Sequence, residues 1–337
     1  MPLNTTGTLS IGGTTVGQSI NLELGRTATQ SSNLNETPLR TLAGVASGQI
    51  SISNFYGKAN DITSQYGLYL GSGWGVGLIT FNSRKYGYST GLSVETTSVP
   101  TARTSSARAV TSTSTFAFMG GGVEGYYIAT TTRFTFSNNS YTNSTNLNRV
   151  HSAGSAIGNA TQAVFSHSQL SSINLYTNTT SIYTYSTNSC VSGTNLTDTD
   201  YFCTGTNNST YGYFFSSYTG TNKLDRWNLT NNTKTVGYLY FSAYFAASTS
   251  TTTDAYISHY NSHGRYTYSN NAFVNRNALP NSPQGHSGAG NGTIGCYASS
   301  TNILQYTYSS DTSITVSNVF PYNADGTGAA SNPPGSF

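Results

Sequence analysis

Along most of the chain, aromatic residues recur at i and i+2 with a small polar residue between them. The fullest copy is Arg133-Phe134-Thr135-Phe136-Ser137-Asn138-Asn139, and looser copies begin at Lys85, Ile182, Arg226, Arg265 and Gln305. From first aromatic to first aromatic the steps are 48, 49, 44, 39 and 40 residues. Alternate residues of a strand face one way, so Tyr86 and Tyr88, Phe134 and Phe136, and Tyr266 and Tyr268 each share a face. Aromatic side chains are favoured on such half-buried pleats. The Ser-Asn-Asn, Thr-Asn-Asn and Ser-Ser-Asp triplets that follow tolerate positive φ, which predicts a strand running into a hairpin turn in each copy. A period of about 40–50 residues is that of a propeller or a similar array.

A second marker keeps the same rhythm. Tyr69, Phe118, Phe165, Phe214, Tyr256 and Tyr297 lie upstream of the six phrases, with steps of 49, 47, 49, 42 and 41 residues. The interval between the markers shrinks from 17 residues (Tyr69 to Tyr86) to 9 (Tyr297 to Tyr306). That predicts a fixed strand pair joined by a variable connection, long in the first three repeats and gathered on one rim. A third stretch follows each turn, as in 141–147, and a weaker fourth, as in 108–112. Six repeats of three or four strands predict a mainly β chain with a six-bladed β-propeller over residues 66–325. A seven-bladed ring with one degenerate blade and an open array are the alternatives. Closure is favoured because a ring leaves no exposed strand edges to protect. The Gly/Pro-rich residues 326–337 are expected to form a flexible tail.

Residues 1–58 are different, being aromatic-poor until Phe55 and Tyr56. Residues 19–25 read as a short helix stopped by Gly25. Residues 37–44 repeat the logic, with Pro38 early and Gly44 past the end. Alternating segments at 8–11 and 49–53 flank them, which makes a small α+β module followed by a linker at 59–65. A segment under about 60 residues with no cysteine is expected to need a partner surface for stability. The plain alternative is a cap of the repeat domain.

Composition narrows the function classes. Only 7% of the 337 residues are charged, against about 25% in ordinary soluble domains. The net charge of +3 comes from 14 basic residues with no run among them, so nucleic acid is not expected as a partner. Aromatic residues make up 13% of the chain, including 26 Tyr and 15 Phe, which argues against disorder. Three cysteines, Cys190, Cys203 and Cys296, are too few for a disulfide framework. No apolar run approaches the length of a membrane span, and Met1–Thr6 carries no secretory signal pattern.

The segment Gly48-Gln49-Ile50-Ser51-Ile52-Ser53-Asn54-Phe55-Tyr56-Gly57-Lys58 resembles a short module of tail-fibre-like and other virion structural proteins of tailed phages, notably those infecting cyanobacteria. Leu22-Glu23-Leu24-Gly25-Arg26 and Arg40-Thr41-Leu42-Ala43-Gly44-Val45-Ala46-Ser47-Gly48 match the same module. The resemblance covers about one sixth of the chain and departs from the usual pattern at Asn54, where an acidic residue is more common. It implies a virion protein, a tail fibre or tail-associated protein assembled in the host cytoplasm and present in several copies. The module would dock onto tail, baseplate or capsid proteins through Leu22, Leu24, Leu42, Ile50, Ile52, Phe55 and Tyr56. The later repeats resemble the kelch-like arrays of some phage proteins, although the kelch double glycine survives clearly only at Gly120-Gly121.

Candidate chemistry is sparse. Seven Asp and four Glu are scattered, and no repeat supplies the facing carboxylate pair that a glycosidase needs. Asp198 and Asp200 share a strand face in this reading and are expected to be solvated. His259 and His263 have the four-residue spacing of helical metal ligands, but they fall in a strand-turn context. His151, His167 and His286 are isolated, and Cys190 and Cys203 are expected to come near each other within one blade as buried thiols. Lys85, Arg133, Arg226 and Arg265 share one repeat position, most simply a solvated strand end. The sharper reading is a basic ring at the propeller mouth that attracts an anionic sugar, broken at Ile182 and Gln305. Tyr, Asn and Ser in loops suit recognition surfaces, and sugars stack on aromatic faces. Trp74, Tyr126, Tyr127, Tyr176, Tyr218 and Tyr260 are therefore the candidate ligand contacts, with no cofactor, no metal and no catalytic residue expected. The functional expectation is a non-enzymatic host-surface glycan binder. A glycan-cleaving propeller enzyme, with Asp198, Asp200 or Asp225 as acids, and a capsid decoration protein without a receptor role are the alternatives.

Overall fold

A computed structural model describes residues 3–15, 17–24, 26–45, 47–56, 66–70, 83–88, 91, 93–96, 99, 109–123, 126–151, 154–166, 176–199, 203–215, 223–238, 246–259, 262–277, 279–280, 287–320 and 328–332. Its strands form six four-stranded antiparallel sheets, the blades of a six-bladed β-propeller. From the axis outward, blade 2 comprises Ala109–Ser112, Phe116–Val123, Tyr127–Thr135 and Ser140–Ser144. Blade 3 comprises Ala156–Gly158, Gln162–Ser166, Thr180–Thr184 and Ser189–Ser192, and blade 4 Thr204–Asn207, Tyr211–Phe215, Lys223–Asn228 and Lys234–Tyr238. Blade 5 comprises Ala247–Ser250, Asp254–His259, Ser262–Thr267 and Ala272–Arg276, and blade 6 Gly288–Gly290, Ile294–Ser299, Asn302–Thr307 and Thr312–Val316.

Blade 1 is assembled from both ends of the repeat region. Tyr66–Leu70, Ser83–Gly87 and Ser93–Glu95 supply its outer three strands, and Gly328–Asn332 supplies the innermost. Its register pairs Tyr66 with Asn332 and Leu70 with Gly328. The expected flexible tail is therefore corrected in part, because residues 328–332 close the ring. Their glycines and alanines suit the crowded axis, which is why the composition reads as tail. Each innermost strand lies beside the next around the axis, and Gly328–Asn332 lies beside both Ala109–Ser112 and Gly288–Gly290.

The repeated phrase is the third strand, and its turn is built the same way in every blade. Five residues after the first aromatic stands a residue with positive φ: Gly91, Asn139, Asn188, Asn232, Asn271 and Asp311. The ring donor locks that residue where there is one. Tyr266 Oη donates to Asn271 Oδ1 at 2.6 Å, and Trp227 Nε1 donates to Asn232 Oδ1 at 3.3 Å. Tyr183 pairs likewise with Asn188, and Tyr306 with Asp311. The inner hairpins use side-chain turns, as where Asn159 Oδ1 accepts from the amides of Thr161 and Gln162 at 2.9 and 3.0 Å.

Both faces of each middle strand are buried, and the core lies between blades. Tyr213 and Phe215 of blade 4 pack against Tyr266 and Tyr268 of blade 5, while Phe214 faces Val164 and Ile182 of blade 3. Stacked pairs cross the interfaces: Phe118 with Tyr185 at 4.7 Å, Tyr213 with Tyr268 at 4.5 Å and Tyr256 with Tyr308 at 4.2 Å. Such pairs contribute about 0.5–1.5 kcal/mol each beyond their burial. The hydroxyls also reach across, as where Tyr69 donates to the Cys296 carbonyl at 2.9 Å.

This two-sided burial hides a one-residue slip in the second sequence marker. Opposite the conserved position of the third strand stand Leu68, Phe118, Val164, Tyr213, Tyr256 and Cys296. Phe118 and Tyr256 mark that position, whereas Tyr69, Phe165, Phe214 and Tyr297 are each one residue later and face the preceding blade. The variable connection also differs from expectation in blade 2, where the extra length extends strands Phe116–Val123 and Tyr127–Thr135. A register shift between Gly120 and Gly122 lets the pair continue. Gly121, at φ +69°, sits where a Cβ would fall 2.3 Å from His151 Nε2, so the double glycine makes room for a buried imidazole.

Residues 3–55 carry their own core of Leu3, Ile20, Leu24, Leu39, Leu42, Ala43 and Phe55. The helices are Ile20–Glu23, capped by Ser19, and Thr37–Ala43, followed by Gly44 at φ +72°. Gly25, the expected stop of the first helix, lies outside the described residues. The alternating segments do not make a strand pair. Ser10 forms a single bridge with Ser19, and Ile52–Phe55 is a short 3-10 helix. Asn54 explains the second case, since its Oδ1 accepts from the Ser51 amide at 2.8 Å and closes a turn. Arg26 bridges Glu36 at 2.7 Å and Ser32 at 2.7 Å, and Ser32 reaches Asn21 at 2.6 Å.

Closure yields a direct test. Deleting residues 328–337 uncovers the edge of Tyr66–Leu70, and the shortened chain is expected to lose its cooperative calorimetric transition and to aggregate in sedimentation velocity. Deleting 333–337 alone is expected to leave both measurements unchanged.

Candidate functional site

The propeller offers three places where a ligand could bind: the axis, the two faces of the ring and the clefts between blades. Along the axis the innermost strands are small and polar. Thr111, Ser112, Asn207, Ser248 and Ser250 line one cavity of about 40 Å³, and Ser155, Thr204 and Ser287 line a second of about 90 Å³. These volumes hold a few waters and no sugar ring. The hydroxyls are already engaged in joining blades whose innermost strands share no sheet. Thr204 pairs with Ser248 at 2.8 Å, the Gly158 amide donates to Asn207 Oδ1 at 3.1 Å, and the Gly290 amide donates to Ser331 Oγ at 2.9 Å. Their role is to stitch the ring.

The two faces differ by topology. Antiparallel order places the hairpins between first and second strands, and between third and fourth, on one face, the turn face. Connections between second and third strands, and between successive blades, fall on the opposite loop face. The second-to-third connections are 71–82, 124–126, 167–179, 216–222, 260–261 and 300–301. The sequence-predicted ligand contacts all belong to these connections or their edges. Tyr126 is 69% exposed, and Tyr127 and Tyr176 are half-buried. Trp74, Tyr218 and Tyr260 lie outside the described residues, but the strands flanking their segments end on the same face. The chain enters the ring at Tyr66 and leaves it at Asn332, both at the turn face.

The expected docking residues sit mostly inward. Leu24, Leu42 and Phe55 are buried in the module core, and Ile50 and Ile52 pack against it. Leu22 and Tyr56 are half-buried, and Tyr56 Oη donates to the Gly7 carbonyl at 2.5 Å. The apolar residues that suggested a partner surface satisfy one another.

The basic position is neither a solvated strand end nor a ring at the mouth. It lies in the third strand and faces the next blade, because its cross-strand partner does. Lys85 is buried with its Nζ 4.4 Å from the Tyr66 ring centre, and Arg133 and Arg226 lie over Phe116 and Tyr211 at 5.7 and 4.9 Å. Arg265 instead pairs with Asp254 at 3.6 Å.

Carboxylates are likewise engaged. Glu95 pairs with Arg84 at 3.9 Å and Asp311 with Arg276 at 3.6 Å. Asp198 lies outside any strand and bonds Lys223 at 2.9 Å, which corrects the shared strand face with Asp200, a residue outside the described set. Asp225 is buried, bonded to Lys234 at 3.0 Å and to the Thr197 amide at 2.8 Å.

His259 and His263 stand on adjacent strands with partners Ser262 and Ser258, so their side chains leave opposite faces of the blade. His263 is enclosed by the rings of Tyr306, Tyr297 and Tyr256 at 4.4, 5.7 and 6.2 Å. His151 is buried beside Gly121, while His167 and His286 lie outside the described residues. Cys190 is on the outermost strand of blade 3 and Cys203 precedes the innermost strand of blade 4, so they do not share a blade. Burial raises the Cys296 thiol well above its ordinary range.

One open cleft lies between the outer strands of blades 4 and 5. Leu224, Arg226, Thr235, Val236, Gly237, Tyr266 and Asn271 line about 180 Å³. Arg226 Nε donates to Thr235 Oγ1 at 3.2 Å. Burial pushes the Tyr266 hydroxyl up to about 12, with Arg226 opposing. Sequence reasoning grouped Arg226 with the other basic residues, and nothing in the phrase itself signals the space beside it.

No family model matches this chain, and a comparison with curated proteins returns no match.

Two outcomes follow from the buried charges. Asp225→Ala leaves the partly buried Lys234 with Thr197 Oγ1 at 2.8 Å but no carboxylate and is expected to lower stability by about 1–3 kcal/mol, read by urea denaturation. Burial pushes the His263 imidazole down to about 4, so the folded chain holds it neutral while the unfolded chain protonates near pH 6.5. Stability is then full above pH 6.5 and declines as pH falls towards 4, by about 3 kcal/mol from this residue. Denaturation curves of His263→Phe should decline less over that range.

Proposed function

We propose that this chain is a non-enzymatic phage virion protein, a tail fibre or tail-associated protein, that docks through residues 1–58 and presents its propeller to host-surface glycan. The observation that carries this reading is the division of the ring. Both ends of the repeat region leave from the turn face, and the described candidate aromatics Tyr126, Tyr127 and Tyr176 belong to the other. A protein anchored through its N-terminal module would hold the loop face outward. Loops on a rigid scaffold suit recognition because they vary without disturbing the core. The exposed ring of Tyr126 and the hydroxyl- and amide-rich surface suit a neutral sugar face.

The virion assignment rests on the resemblance of residues 22–26 and 40–58 to the phage module. The self-contained core of that module favours a small folded plug over an unstructured arm, with the virion contact made by its outer surface. Asp198 pairs with Lys223 and Asp225 with Lys234, contacts that support a structural part for both carboxylates.

Purified chain is expected to bind host-surface polysaccharide, and Tyr126→Ser to weaken it about tenfold, as loss of about 1.4 kcal/mol implies, with an unchanged melting temperature. Release of reducing ends from that polysaccharide would contradict the non-enzymatic reading. Absence of binding together with incorporation into particles would point to a decoration protein.

A further inference from the structure

The cleft between blades 4 and 5 differs from the next one, between blades 5 and 6, at three equivalent positions, and together they leave a cation facing open space. At the interface of blades 5 and 6, Arg265 is neutralised by Asp254, Arg276 reaches across to Asp311, and the turn residue is that acid. One blade earlier the equivalent of Asp254 is Tyr211, that of Arg276 is Gly237, and that of Asp311 is Asn271. The ring of Tyr211 orients Arg226 without cancelling its charge, and Thr235 fixes Nε. Among the described residues no carboxylate pairs with Arg226, and no acid lines the cleft. Gly237 adds no side chain, and even a Cβ there would come no closer than 3.5 Å to Leu224. At the equivalent glycine of blade 3, Gly193, a Cβ would instead meet Thr180 Oγ1 at 2.3 Å.

We propose that this cleft binds a carboxylate-bearing sugar unit, a hexuronate of an acidic polysaccharide. The volume of about 180 Å³ is twice that of the larger axial cavity, about 90 Å³, and leaves room for one sugar ring. The two terminal guanidinium nitrogens match a carboxylate in a planar fork. Leu224, which pairs with Gly237 on the face that carries Arg226 and Thr235, offers an apolar patch to the C–H face of the ring. Thr235 and Asn271 offer hydroxyl and amide partners; Asn271 already accepts from Tyr266, which leaves its amide nitrogen to donate. The site is on the wall of the ring, separate from the loop face, and draws on the glycan-binding reading only for the sugar part of its ligand.

Titration of the full chain with D-glucuronate, D-glucose and acetate, followed by ligand-observed NMR, tests it. Glucuronate is expected to bind at millimolar concentration, at least tenfold tighter than glucose or acetate. Arg226→Gln should weaken it at least tenfold. Gly237→Arg, which fills the cleft as Arg276 fills the next interface, should abolish it, while the melting temperature of both variants stays close to that of the parent. Glucuronate binding that is absent, unchanged in Arg226→Gln, or matched by acetate would overturn the proposal. Host-polysaccharide binding that survives Arg226→Gln but fails in Tyr126→Ser would leave the loop-face reading standing on its own.

Discussion

Every blade of this ring is a sheet with two apolar faces, and no blade can cover either face alone. Burial of both depends on the neighbours, so the unit of stability is the interface between blades. Tyr213 belongs with Tyr268 of blade 5 more than with anything in its own sheet, and Phe214 with Val164 of blade 3. Six such interfaces must all form, and the last requires Gly328–Asn332 beside Tyr66–Leu70. Tyrosine outnumbers phenylalanine because the interface contains both apolar area and backbone carbonyls or hydroxyls within reach. The contacts of Tyr69 with Cys296 and of Tyr297 with Thr249 at 2.9 Å use both ends of the side chain.

The same constraint sets where recognition can occur. Towards the axis the strands crowd, and apart from Val110 and Ile157 the innermost strands consist of Gly, Ala, Ser, Thr and Asn, whose hydroxyls and amides tie one blade to the next. Towards the perimeter the blades splay, and the gap between third strands must be filled by long side chains. Lys85 over Tyr66 and Arg276 on Asp311 are such fillings. Where the outermost strand supplies Gly237 instead, the gap remains.

The blade count and the third strand were legible because period and alternation act through local rules: paired aromatics at i and i+2, then an Asn or Asp that accepts positive φ. Register was less legible, since a strand buried on both faces gives no apolar–polar alternation to fix its phase; hence the slip at Tyr69, Phe165, Phe214 and Tyr297. The closing strand was hidden because small residues at an axis look like those of a loose tail. Docking residues such as Leu24 and Phe55 are the apolar positions of the segments that resemble the phage module, and apolar character cannot separate a module's core from its contact surface. For the candidate site, the loop aromatics pointed to one face, whereas the cleft at Arg226 depends on what Gly237, Tyr211 and Asn271 are not, and absence is visible only by comparing blades in space.

Because the innermost strand of the first blade is encoded after the last repeat, the ring is a latch whose two halves leave the ribosome at widely separated times. Until Gly328–Asn332 emerges, Tyr66–Leu70 presents an unpaired edge with apolar side chains on both sides. Contacts of such long sequence separation slow folding and lengthen exposure to wrong partners. Neighbouring nascent chains of the same sequence carry both halves of that latch, so each can donate Gly328–Asn332 to another's open edge.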